Sequence, residues 1–404
     1  MRSCTPFTTG LRLRASVVAA AIIAPLVSCN QEPSTAPASE LVAATTVPLS
    51  FRQVSAGRWH TCGVTTEDRA YCWGLGVRGQ LGDGTSGYGR RQYVPVAVKG
   101  GYAFRQVSAG YDHTCGVTIA NQAFCWGWNS GGALGDGTTT DRAVPVQVGG
   151  GNQFREVTGG VTHSCGVTVL GRAYCWGDNY AGQLGIGTTT RRLSPVAVAG
   201  GRTFRALSAG AGHTCGVTSA DDVFCWGANT NGQLGDGSDA ARRVWPTRVA
   251  GGYKFRQVSG GESHTCGVTT SARAFCWGDG QYGQIGDGKT YNRLRPTAVA
   301  GGHSFSHVSG GERHTCGVNT EKRAYCWGEN FGTLGDGTSI QRLIPSAVAG
   351  GLRFRQVESG AGHACGVTPE NRAYCWGSDS HGQRGDGPPE TYGVLVPTPV
   401  RGPS

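Results

Sequence analysis

A fifteen-residue string, HTCGVTTEDRAYCWG from His60 to Gly74, returns six times along this 404-residue chain, starting at His113, His163, His213, His264, His314 and His363. The first cysteines of the seven copies are spaced by 53, 50, 50, 51, 50 and 49 residues. Such a period constrains the fold more than composition does, because one unit cannot bury its own apolar face and must stack on its neighbours. The units fill the chain from Phe51 onward. One ring of repeats is therefore expected, in place of the two or three domains that length alone suggests.

Each unit reads as four short strands. In the second, FRQVSAG (Phe104 to Gly110), HTCGVT (His113 to Thr118), AFCWG (Ala123 to Gly127) and VPVQV (Val144 to Val148) are separated by polar or glycine-rich connections. Glycine makes up 69 of the 404 residues, about twice the usual share. It recurs at fixed places, so it marks turns and not low complexity. The expectation is an all-β chain, a seven-bladed β-propeller of four-stranded blades over residues 47–404.

Nine residues always separate the two cysteines of a copy, although the residues between them change. With Cys62 opposite Cys72, a hairpin with a three-residue loop places the pair about 4.5 Å apart at Cα, within disulfide range. A bond that fixes register explains the constant gap. The pairs are Cys62 and Cys72, Cys115 and Cys125, Cys165 and Cys175, Cys215 and Cys225, Cys266 and Cys276, Cys316 and Cys326, and Cys365 and Cys375. The rival reading, a His-x-Cys zinc site, fails for want of a recurring fourth ligand. No metal or other cofactor is expected.

Repetition also argues against catalysis by the seven histidines, since an active site needs one asymmetric set of groups. Each imidazole is expected to bond backbone at its blade's inner turn. The tryptophans after the second cysteine are expected to pack between blades with the indole N–H on a backbone acceptor. A further recurring pair reads as a carboxylate–guanidinium clamp: Asp83, Asp136, Asp236, Asp287 and Asp336 with Arg91, Arg142, Arg243, Arg293 and Arg342. The third unit has Ile186 in place of the acid, and the seventh has Val394 in place of the arginine. One acid per turn is too few oxygens for calcium.

The start of the chain differs. Arg2, Arg12 and Arg14 precede a 14-residue, mostly apolar run from Ala15 to Ser28, too short to span a bilayer but suited to an export signal. It ends in Leu26-Val27-Ser28-Cys29, which resembles the lipobox of bacterial lipoproteins. That resemblance implies a signal peptide over 1–28, acylation of Cys29 and a flexible tether over 29–46. Asn30 follows the cysteine, so the usual inner-membrane retention signal is missing, and an outer-membrane or cell-surface location is expected. Of the 16 cysteines, Cys4 would leave with the signal and Cys29 would carry lipid. The other 14 form seven pairs, which suits an oxidising compartment.

The run G-x-x-H-T-C-G-V-T, A-Y-C-W-G-x-N, G-Q-L-G-D-G-T and P-V-x-V resembles the regulator-of-chromosome-condensation repeat, over Phe51 to about Gly402. The resemblance implies a seven-bladed propeller and says little of function. The family includes exchange factors for a nuclear-transport GTPase, domains of signalling proteins and secreted bacterial inhibitors. Exchange activity is not expected, because an exported chain does not meet a cytosolic GTPase. The inserted wedge of those factors would also enlarge one repeat well beyond 53 residues.

In a repeat protein the scaffold recurs, so specificity belongs where the copies differ. The two residues before each repeat histidine vary most: Arg58-Trp59, Tyr111-Asp112, Val161-Thr162, Ala211-Gly212, Glu262-Ser263, Glu312-Arg313 and Ala361-Gly362. The candidate binding residues are Arg58, Trp59, Tyr111, Asp112, Glu262, Glu312 and Arg313. These turns are expected on one face around the axis, opposite Trp128, Tyr180, Tyr282 and Phe331 in the loops after Trp-Gly. The functional reading is a monomeric binding scaffold for a protein or an anionic glycan, touching the membrane through its anchor only. A polysaccharide-acting enzyme in the funnel and a secreted inhibitor are the alternatives. Losing the signal lowers the net charge from +10 to +7. The arginines are spread around the ring, which speaks against nucleic acid.

Overall fold

The computed structural model describes residues 49–388 and 393–403. The expected signal peptide, the tether, Cys29 and the first residues of the expected propeller domain, among them Val47, lie outside them. The described residues form 28 strands in seven antiparallel four-stranded sheets, each ordered as in the chain. Blade 1 consists of β1 (Phe51–Ala56), β2 (His60–Thr65), β3 (Ala70–Leu75) and β4 (Arg91–Ala97). Six further blades begin at Phe104, Phe154, Phe204, Phe255, Phe305 and Gln356.

The expected hairpin register is present in every blade. His60 faces Gly74, Cys62 faces Cys72 and Val64 faces Ala70. The seven disulfides span Cα separations of 4.0–4.1 Å. Between blades, the cysteine pair of one blade packs with the phenylalanine and tryptophan of the next, as in the cluster of Cys62, Cys72, Leu81, Phe104 and Trp126.

The repeated polar residues tie each blade to the next. Trp126 Nε1 donates to the Gln80 carbonyl of blade 1 at 2.9 Å, and Thr114 Oγ1 donates to the same oxygen at 2.9 Å. That hydroxyl therefore accepts from His60 Nε2 at 2.8 Å, which fixes the proton on Nε2 and leaves Nδ1 bare. The histidine partner is thus a hydroxyl of the neighbouring blade and not local backbone as expected, because the strand start that faces the ring comes from the adjoining sheet. Burial pushes these imidazoles down to about 3 or 4, so they are neutral at physiological pH. The link recurs at six junctions. At the seventh, Ala364 stands where the hydroxyl should be, and His314 Nε2 is buried without a partner.

The ring closes through these same ties. His363 meets Thr61 at 2.8 Å, Trp73 donates to Gln383 and Arg355 caps the Phe51 carbonyl at 2.9 Å. Among the described residues the first and last strands do not pair with each other. β1 pairs with β2, and the outer strand Gly393–Pro399 pairs with Ala373–Ser378. Each blade takes all four strands from one contiguous segment, so no strand is left to exchange. The clamp also needs one correction. Asp83 pairs with Arg90, while Arg91 reaches the Ser380 carbonyl at 3.2 Å. The other four clamps stand as expected.

Candidate binding site on the axial face

The turn between the first two strands of each blade is positioned by a glycine. Gly57, Gly110, Gly160, Gly210, Gly261, Gly311 and Gly360 form a ring in which an added Cβ would come within 2.6 Å of the next glycine's carbonyl oxygen. Only glycine permits that approach. The following N–H then bonds across the junction, as Tyr111 does to Gly160 at 3.1 Å and Glu262 to Gly311 at 3.0 Å.

The residue after each glycine is thereby turned toward the axis. Arg58, Tyr111, Val161, Ala211, Glu262, Glu312 and Ala361 line a funnel of about 500 Å³. Of the seven candidate residues, Arg58, Tyr111, Glu262 and Glu312 are funnel-lining, and Trp59, Asp112 and Arg313 sit one position outward, beside the loops after Trp-Gly. Blades 1 and 2 supply a cation and aromatic rings, blades 5 and 6 supply carboxylates, and blades 3, 4 and 7 supply small or apolar side chains.

The expectation that the loops after Trp-Gly occupy the opposite face is overturned. Leu75 donates to the Trp59 carbonyl at 2.8 Å, and Trp128 donates to Asp112 at 2.9 Å. Arg313 lies 4.6 Å from the centre of the Tyr282 ring. β1 and β3 both run to this end of the blade, so the turn after β1 and the loop after β3 share it. Tyr180 and Phe331, 64% and 77% exposed, therefore belong to the same face as Trp59 and Tyr111. His381, which the sequence did not single out, stacks on Trp59 at 5.2 Å with the planes 20° apart.

The electrostatics of the face follow from burial and from this uneven distribution. The Arg58 guanidinium carbon lies 3.7 Å from the centre of the Trp59 ring and 3.9 Å from that of Tyr111. Burial raises the Glu262 carboxyl, and Glu312 raises it further against the opposing pull of Arg313 and Arg58. Burial likewise raises Asp112, with Arg58 and Arg78 opposing. The Tyr111 phenol is raised by burial, with Glu312 and Glu262 adding to the effect and Arg58 opposing it. Among the described residues, no group of three His, Cys, Asp or Glu side chains is placed to hold a metal ion.

The sequence profile described as the regulator of chromosome condensation (RCC1) repeat matches residues 67–117, 121–167, 171–217, 221–268, 271–318 and 322–367. These segments run from the third strand of one blade to the second of the next, half a blade out of step with the sheets. A second profile of the same description matches seven segments, from 51–80 to 354–383. The Ultraviolet-B receptor UVR8 of Arabidopsis thaliana is 34% identical over 96 residues, 23% of this chain and 21% of the receptor. The probable E3 ubiquitin-protein ligase HERC4 of Homo sapiens is also 34% identical over 96 residues, 23% of this chain and 9% of the ligase. The match therefore spans about a fifth or less of these relatives' length. Among solved structures, human WBSCR16 aligns with a TM-score of 0.73 at 21% identity, covering 80% of this chain and 88% of that one. Yeast RCC1 (Prp20) bound to Kap60 aligns with a TM-score of 0.73 at 19% identity, covering 94% and 91%. At those identities the likeness concerns the fold alone. With its seven blades and these matched segments, the chain belongs to the regulator of chromosome condensation repeat family.

Proposed function

We propose that the protein is a binding scaffold of the bacterial cell envelope, exported, lipid-anchored through Cys29, and engaging its partner with the axial face. One observation carries this reading. The recurring histidines, tryptophans and glycines are taken up by ties between blades, which leaves the unrepeated Arg58, Trp59, Tyr111, Glu262, Glu312 and Arg313 together on one face. Aromatic residues and arginine dominate binding hot spots. Export is supported by the basic and apolar start of the chain and by seven disulfides, which need an oxidising compartment. Yeast RCC1, which shares the fold, was solved bound to Kap60.

A pull-down from envelope extract tests the reading. Changing Trp59, Tyr111 and Arg313 together to Ala should leave a single cooperative melt and abolish capture. Capture that survives would move the site off this face. A panel of polysaccharides incubated with the protein should remain uncut. Turnover that disappears in Glu262→Gln would instead make the funnel an active site, two carboxyls being the usual minimum for glycoside cleavage.

A further inference from the structure

We propose that the axial funnel recognises a charge-paired peptide, taking a carboxylate at Arg58 and an ammonium or guanidinium at Glu262 and Glu312, both carried by one loop or terminus of a protein partner. The inference rests on the axial-face reading and narrows its partner to a class.

The anion pole is built around a guanidinium whose face is covered and whose N–H groups have no acceptor among the described residues. Trp59 and Tyr111 lie against Arg58, and His381 backs Trp59. Stacking of this kind leaves the N–H edge open, and that edge is what grips a carboxylate in two parallel bonds. Among the described residues no acceptor bonds to the Arg58 side chain, and its Nε is buried without a partner. The ring-tying arginines differ: Arg105 holds the Phe154 carbonyl at 2.8 Å, and Arg355 holds that of Phe51 at 2.9 Å. Arg58 has the rigidity of a structural arginine without the bonds of one. A side chain already held in place loses little further freedom when a ligand arrives.

The cation pole lies on blades 5 and 6 of the same funnel. Among the described residues Glu262 makes no ion pair. Glu312 reaches only Arg313, at 4.0 Å, and that arginine is turned to Glu329 at 3.3 Å. Arg58 and the two glutamates lie close enough to act on Tyr111 together, yet they do not pair with one another. The funnel therefore presents both signs, with Glu312 met only loosely by Arg313, between small walls at Val161, Ala211 and Ala361. An anionic glycan carries one sign only and would meet both glutamates. A peptide with a basic residue near an acidic one satisfies both poles.

Titration of the purified protein with the blocked peptides Lys-Gly-Asp, Gly-Gly-Asp and Lys-Gly-Gly, and with an oligogalacturonate, tests this directly. The doubly charged peptide should bind at least about tenfold tighter than any other probe, one order of magnitude being about 1.4 kcal/mol. Arg58→Met should remove the advantage of the acidic residue, with Arg58→Lys intermediate because it keeps charge and loses the fork. Glu262→Gln with Glu312→Gln should remove the advantage of the basic residue, and all variants should melt as the parent does. Equal binding of the peptides, equal or tighter binding of the oligogalacturonate, or binding of none of the four would overturn the proposal. Partner capture that is lost in the Trp59, Tyr111, Arg313 variant but kept in Arg58→Met and the glutamine pair would overturn it too, while leaving the axial-face reading in place.

Discussion

The two ends of the ring are built by the same strands and put them to different uses. At the end away from the funnel, each second hairpin closes on a left-handed residue, among them Asp68, Asn121, Asp221 and Asn371. These tips tie blades together. Asn121 accepts from Arg105 of its own blade at 2.6 Å and lends its carbonyl to Phe154 N–H of the next blade at 2.8 Å. Asn371 likewise accepts from Arg355 at 2.7 Å and lends its carbonyl to Phe51 N–H at 2.7 Å. At the axial end the ties are made by recurring residues, the glycine backbone, the histidine–hydroxyl links and bonds such as Ala109 N–H to Ser55 Oγ at 3.0 Å, so the residues after each glycine are free to differ. The tips use their loop residues as ties, whereas the axial turns leave their varying residues out of them.

The largest effect should come from breaking what both ends share. Each disulfide closes a small loop and contributes about 2–3 kcal/mol in the chain-entropy account. Reduction of all seven should therefore unfold the ring, read as loss of the cooperative melt in reductant. A protein that melts at the same temperature when reduced would show that interblade packing suffices.

Next, the ends should respond differently to one added methyl. Gly210→Ala puts a Cβ 2.5 Å from the Gly261 carbonyl oxygen, against backbone that cannot yield, and should cost about 3 kcal/mol. Gly252→Ala, in the linker at the other end, meets nothing within 4 Å and has only its φ of +67° against it, so about 1 kcal/mol is expected. Equal costs in denaturant melts would mean that the axial glycine ring is not the tight joint described.

A third effect is pH-dependent and belongs to one junction. Gln106 clasps the next inner strand by donating to the Val157 carbonyl at 2.7 Å and accepting its N–H at 3.1 Å. In blade 3 the clasp residue is Glu156, which accepts from Leu207 N–H at 2.7 Å. The second bond needs a donor that only the protonated acid has. Burial pushes this carboxyl up from 4.5 to about 7, against the pull of the Leu207 N–H, Arg155 and Arg105. The folded state thus holds an extra proton at this carboxyl between those values, so its own contribution to stability is greatest below pH 4.5 and falls as pH rises toward 7. That is opposite in sign to the contribution of the seven neutral histidines, and the parent-minus-variant difference isolates it. The loss should be about 1–3 kcal/mol, and Glu156→Gln should abolish this slope in melts at a series of pH values. An unchanged slope would assign it elsewhere.

Smaller still is repair of the broken histidine link. Ala364→Thr should give His314 Nε2 its missing partner and raise stability by about 1 kcal/mol. A destabilised variant would mean that the buried site lacks room for the hydroxyl.

Much of this was legible in the sequence, and the boundary falls at the single blade. The constant gap between cysteines carries the hairpin register because both partners lie within ten residues. The indole N–H was expected on a backbone acceptor and found there, although nothing in the sequence names Gln80 as its source for Trp126. His60 was assigned to the wrong kind of partner for a related reason: Thr114 is 54 residues away and reaches it only once two sheets are side by side. The placement of Trp128, Tyr180, Tyr282 and Phe331 failed differently. Following strand direction from the turn at Arg58-Trp59 through the hairpin returns the chain to the same end, so their place on the axial face follows from strand direction alone. Of the candidate site, the seven varying positions and the one-face arrangement were legible. The aromatic cover on Arg58 and its lack of an acceptor among the described residues were not, since they depend on how adjacent blades meet.

The most direct test sets the two ends against each other in one pull-down from envelope extract. The axial variant carries Ala at Trp59, Tyr111 and Arg313. The opposite-end variant carries Ala at three exposed hairpin-tip residues, Ile119, Val169 and Leu170. The tip variant should melt within about 0.5 kcal/mol of the parent, as surface changes do, and the axial variant, which loses the half-buried Trp59 and Tyr111 rings, should keep a single cooperative melt. Capture should be lost in the axial variant and unchanged in the other. Capture kept in the first and lost in the second would contradict the division of labour between the two ends.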